Sequence, residues 1–81
     1  MKREDVYKLI DGERDYQNIQ PSRPKSDAET SVAEWLNYIE FHLGAAKECV
    51  YHLNETGALE SVRKIAGLTV ACMENNETKS R

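Results

Sequence analysis

A chain of 81 residues with a net charge of −3 and 40% apolar side chains is one small domain at most, and a size that rarely stabilises itself with a single core. The mildly acidic balance, with no basic run, excludes a nucleic-acid backbone as the default partner. No stretch has the length of a membrane span or the pattern of a leader, so the expectation is a soluble, cytoplasmic, all-α protein.

The first predicted element is a helix over 3–18. Val6, Leu9, Ile10 and Tyr16 supply its apolar stripe, and Gly12 weakens it without breaking it. Glu13 and Gln17 continue the line of Val6 and Ile10 by steps of +4, +3 and +4. Either the stripe runs off the edge of the core there and both reach water, or they face a polar site between helices. Residues 19–30 read as a linker. Pro21 and Pro24 bar a regular helix, and Arg23 and Lys25, with Ser22 and Ser26, form either a solvated connection or a phosphate-binding segment.

The stretch after the linker organises the chain as a long antiparallel hairpin. Val32, Trp35, Leu36, Ile39, Leu43, Ala46, Val50 and Leu53 recur by steps of three and four, as on a helix over 31–53. Ser31 with Glu34, or Ser26 with Glu29, has the capping-box spacing. Asn54 and Gly57 mark the turn, with Gly57 suited to the left-handed conformation and Thr56 to capping the next helix. That helix, 57–75, has a broad apolar face; Gly67 in its middle points to close helix packing, and the tail 76–81 is expected to fray. Long helices with broad apolar faces leave surface to cover, so a three-helix unit completed by homo-oligomerisation is expected.

The hairpin register allows further expectations. Cys49 and Cys72 fall ~15 Å apart at the helical rise, too far for a disulfide, and are expected reduced and buried. Glu48 falls opposite Arg63, suggesting an interhelical ion pair; alternatively Arg63 and Lys64 together face an anionic ligand. His42 and His52 lie ten residues apart on one helix and cannot share a metal; each is expected to be a partly exposed helix residue. Tyr7, Tyr16, Tyr38 and Tyr51 are expected half-buried, with rings able to stack on a base. No nucleophile elbow or phosphate-binding glycine loop is present.

Three blocks carry a resemblance: Glu13-Arg14-Asp15-Tyr16-Gln17, Val32-Ala33-Glu34-Trp35-Leu36, and the run from Arg63-Lys64-Ile65-Ala66-Gly67 through Leu68-Thr69-Val70-Ala71-Cys72-Met73-Glu74. Together they resemble small phage and prophage proteins related to the MazG-like all-α nucleoside triphosphate pyrophosphohydrolases. The likeness spans most of the chain outside the linker and tail, and the last block is its most specific part. It implies helices assembled into oligomeric bundles, a nucleotide held between them, and Mg²⁺ held by helix carboxylates. In the hydrolytic family those carboxylates follow Glu-Glu-x-x-Glu on one helix and Glu-x-x-Asp on the next, a spacing that sets the acids on one face. Here the first arm has Glu34, Glu40 and Glu48 without Glu-x-x-Glu, and Glu60 is followed three residues on by Arg63, a cation that would repel the metal.

The expected function is therefore binding of a phosphorylated nucleotide or cyclic nucleotide without hydrolysis and without a cofactor, sequestering a nucleotide signal of host defence in the host cytoplasm. Its ligand-binding residues are Arg63, Lys64, Arg23 and Lys25, with Glu13 and Gln17. The alternatives are an Mg²⁺-dependent pyrophosphohydrolase with metal on Glu13, Glu34, Glu40 and Glu60, and a module that binds a host protein through an apolar helix face.

Overall fold

The computed structural model describes residues 1–20 and 25–81; Arg23, Ser22 and the two linker prolines lie outside the described residues. The architecture is all-α. Helix α1 spans Arg3–Asn18, a short 3₁₀ turn spans Asp27–Glu29, α2 spans Val32–Tyr51 and α3 spans Glu55–Asn75. No strand occurs among the described residues.

Both candidate caps before α2 are used, for different elements. Ser31 opens α2 with a complete capping box: its hydroxyl accepts from the Glu34 amide, and the Glu34 carboxylate accepts from the Ser31 amide. Ser26 instead opens the 3₁₀ turn, its hydroxyl donating to Glu29 at 3.0 Å. The sequence reading leaves the whole linker irregular; the turn forms there because buried Thr30 donates its hydroxyl back to the Ser26 carbonyl at 2.8 Å and closes it.

The hairpin bend differs from the expectation in mechanism. The Leu53 amide donates to the Val50 carbonyl and the Asn54 amide to the Cys49 carbonyl, the paired bonds of a Schellman ending. The left-handed residue such an ending requires is Leu53, at φ 59°, and not Gly57. Gly57 lies one turn inside α3, where Asn54, not Thr56, is the N-cap, its side-chain carbonyl accepting from the Gly57 amide at 3.0 Å. The need for glycine there is steric: a Cβ would stand 2.5 Å from the Asn54 amide nitrogen and 3.0 Å from the Cys49 sulfur.

The core is narrow. Trp35 is fully buried and packs with Leu68 and Ala71 of α3, edge-on to the Tyr38 ring at a centroid distance of 6.2 Å. Ile39, Tyr38 and Cys72 close around them. Cys49 and Cys72 are both free thiols, as expected, but half-buried instead of buried, because the core around them is thin. Of the four tyrosines only Tyr38 is half-buried; Tyr7, Tyr16 and Tyr51 are exposed. His42 is half-buried, and His52 is exposed.

The arrangement that positions everything else is that α3 is central. It packs against α2 on one side, and against α1 and the 3₁₀ turn on another, while α1 and α2 make no backbone approach to each other. Gly67 is the reason α1 comes so close: a Cβ there would meet Glu13 Cγ at 2.9 Å and the Gln17 amide nitrogen at 2.8 Å. At the end of α3 the Asn75 and Asn76 side-chain amides donate to the carbonyls of Ala71 and Cys72, satisfying groups the helix leaves open.

Candidate functional site

The α1–α3 contact is polar. Glu13 is buried, and its two oxygens are engaged separately: one accepts from Arg63 Nε at 2.9 Å, the other from the Gln17 amide at 3.1 Å. The same Gln17 amide donates to the Lys64 carbonyl at 3.2 Å, and the Gln17 carbonyl accepts from Arg14 at 3.4 Å. Of the two readings of the polar continuation of the α1 stripe, the one with Glu13 and Gln17 between helices is what the fold shows. Their polar atoms are spent on the seam itself, since a buried carboxylate or amide must find partners.

Arg14, which the sequence reading passes over, anchors the other half of this seam. It is buried, and its guanidinium donates to Glu74 at the end of α3 (3.0 Å) and to Asp27 in the 3₁₀ turn (3.1 Å). One planar cation thus holds three segments, a use that suits the fixed fork of Arg. The available signal was its place one turn after Ile10, beside the stripe that Glu13 and Gln17 continue.

Because α1 and α2 each lean on α3 without a close backbone approach to one another, an open groove of about 280 Å³ runs between them. Its α1 wall carries Glu13, Tyr16 and Gln17; Tyr38 and His42 form the α2 wall; Lys64 and Leu68 form the floor, and Gln20 stands at one end. Lys64 is half-buried, and its ammonium makes no ion pair among the described residues. Burial, then the charge of Lys64, lowers the pKa of His42 against an opposing pull from Glu13, which favours the neutral imidazole.

The remaining candidates are dispersed. Arg63 stands outside this groove, over a neighbouring depression with Lys8 and Glu60, and its expected partner is wrong: it pairs with Glu13, while Glu48 pairs with His52 at 2.9 Å. The register also differs from the expected one: the bend falls at Leu53, Cys49 stands level with Gly57, and Arg63 lies on the side of α3 that α1 covers. Lys25 is committed to Glu34 at 2.9 Å, which raises its pKa; Lys25 and the Ser31 cap in turn hold the Glu34 carboxyl down to about 2. Glu40 and Glu60 are exposed.

The four acids proposed for Mg²⁺ do not fit a metal. Glu13 is spent on Arg63 and Gln17, Glu34 on Lys25 and Ser31, and no group of three or more His, Cys, Asp or Glu suited to a cation exists among the described residues. No helix among the described residues is long and apolar enough to cross a membrane. Comparison with family models, with curated proteins and with solved structures finds no match, so neither the resemblance nor a function is inherited from a relative.

Proposed function

We propose that the chain binds a phosphorylated nucleotide in the groove between α1 and α2 and holds it without hydrolysis. One observation carries this reading: Lys64, whose ammonium has no ion-pair partner among the described residues, lies on the floor of a groove walled by the tyrosines Tyr16 and Tyr38. A cation offers a phosphate its counter-charge, and an aromatic ring offers a base a stacking face of about 1–3 kcal/mol. The groove lies at the lower end of the volumes that small ligands occupy, which favours a mononucleotide-sized group over a polymer. Likeness to small phage proteins suggests what such binding is for: a chain that retains a nucleotide signal of host defence removes it by mass action alone.

The test is titration calorimetry with nucleoside mono- and diphosphates and cyclic mono- and dinucleotides. One class binds at micromolar Kd or tighter, and Lys64→Ala weakens it by about tenfold or more, the loss of one charge-assisted contact. The nucleotide is recovered intact afterwards. An absence of heat with every member of the panel sinks the proposal.

A further inference from the structure

The third side of α3 has no covering among the described residues. One side faces α2 through Leu68 and Cys72, and a second faces α1 through Arg63, Gly67 and Glu74. The third carries Leu59, Val62 and Met73, which are 66%, 52% and 48% exposed. On α2 the apolar positions step from Leu36 through Ile39, Leu43 and Ala46 to Val50 by three and four alternately, the repeat of a helix seam. Yet Leu36, Leu43 and Val50 are 55%, 44% and 60% exposed. The two stripes meet at a shallow trough to which Ala46 and Val50 of α2 and Ala58 and Val62 of α3 contribute. It lies away from α1, so the hairpin presents a continuous apolar face on the side opposite the nucleotide groove.

We infer that this face packs against the same face of a second copy of the chain, so that two hairpins form a four-helix bundle with the α1 helices outside. The first support is area. A compact monomer of this 9.3 kDa mass exposes about 5,000 Å². The chain exposes 6469 Å², and its exposed tail accounts for part of the difference. The face itself supplies Leu36, Leu43, Val50, Leu59, Val62 and Met73, each about half exposed, the apolar centre that a standard interface burying about 800 Å² per partner requires. The second is charge. Glu40 and Lys47, both exposed, flank the α2 stripe one heptad apart. An antiparallel two-fold at the level of Leu43 sets Glu40 of each copy beside Lys47 of the other, a self-complementary pair of the kind a two-fold interface requires. The third is size: with Trp35 the single large side chain fully buried among the described residues, the chain gains from its partner the core it lacks.

Sedimentation equilibrium at about 100 μM gives the test. The wild-type chain sediments at twice the 9.3 kDa chain mass. Val62→Glu sediments at the single-chain mass with its helical circular dichroism retained, and the nucleotide affinity of the groove is unchanged. Isotope-filtered NMR on a mixture of labelled and unlabelled wild-type chains needs no variant. It shows contacts between copies at the methyl groups of Leu43, Val50 and Val62. A monomeric wild-type chain, a dimer that survives Val62→Glu, or contacts between copies that map to α1 would overturn the inference. None of these results bears on nucleotide binding, which is read on the opposite side of α3.

Discussion

Glu34 joins the linker to the hairpin twice over, by accepting from the Ser31 amide within the capping box and from Lys25 at 2.9 Å. Its carboxyl, held at about 2 against an ordinary 4.5, favours the folded state above the ordinary value. That contribution fades as pH falls from about 4.5 towards 2, because the unfolded chain binds the proton first. Amide protection at Ser31–Trp35, taken relative to the intrinsic exchange rate at each pH, is expected to fall over that window, and a carboxyl titration by NMR that places Glu34 near 4.5 would contradict it. Leu53 presents a different local conflict. Its left-handed φ of 59° crowds a Cβ against the backbone, and its side chain is 92% exposed, so little packing compensates. Leu53→Gly relieves about 1–2 kcal/mol of crowding against about 0.5–1 kcal/mol of added unfolded-state entropy. The expected result is a net gain near 0.5–1 kcal/mol, seen as a thermal midpoint several degrees higher.

The helix α1 is held by polar groups that glycine lets into reach. At Gly67 the substitution to Ala improves helix propensity by about 1 kcal/mol, yet its methyl group would stand 2.9 Å from Glu13 Cγ, a rigidly placed atom in a buried side chain. Moving α1 outward stretches the Gln17 bond to the Lys64 carbonyl and the Glu13–Arg63 pair together, so Gly67→Ala is expected to destabilise by about 1–2 kcal/mol net in urea denaturation. Gly12→Ala is the contrast: a Cβ there meets nothing within 4 Å, and the same change stabilises by up to about 1 kcal/mol. Equal effects at both glycines would refute this account of Gly67. Much of this layout was legible in the sequence, because steps of three and four record which residues share a face: Trp35 and Ile39 turn inward, Ser31–Glu34 caps, and Glu13 and Gln17 continue the α1 stripe. Pairing between helices was not legible. Whether Arg63 meets Glu48 or Glu13 depends on where α1 docks, and that is decided by a missing Cβ at Gly67. Arg14 escaped notice because its partners Asp27 and Glu74 are distant in sequence, and Leu53 because left-handed backbone is signalled by glycine, which stands four residues too late.

At the scale of the whole molecule, division of labour falls on α3. One side builds the core with α2, one builds the polar seam that opens the groove, and one is left apolar. If a second copy covers that last side, folding and association are the same event, and stability depends on protein concentration. Each tenfold dilution then removes 1.4 kcal/mol per mole of dimer. Spread over the unfolding entropy of two chains of this length, the thermal midpoint falls by roughly 4 °C. Calorimetric scans at about 10, 100 and 1,000 μM are expected to show that slope in the wild-type chain and none in Val62→Glu, whose introduced carboxylate would have to be buried at the centre of the interface. A saturating nucleotide raises the midpoint of both, because the groove lies on the opposite side of α3 and binding there favours the folded chain whether or not it is paired. A midpoint independent of concentration, with the nucleotide shift intact, would separate the two functions of the helix and assign the apolar side to something other than this chain.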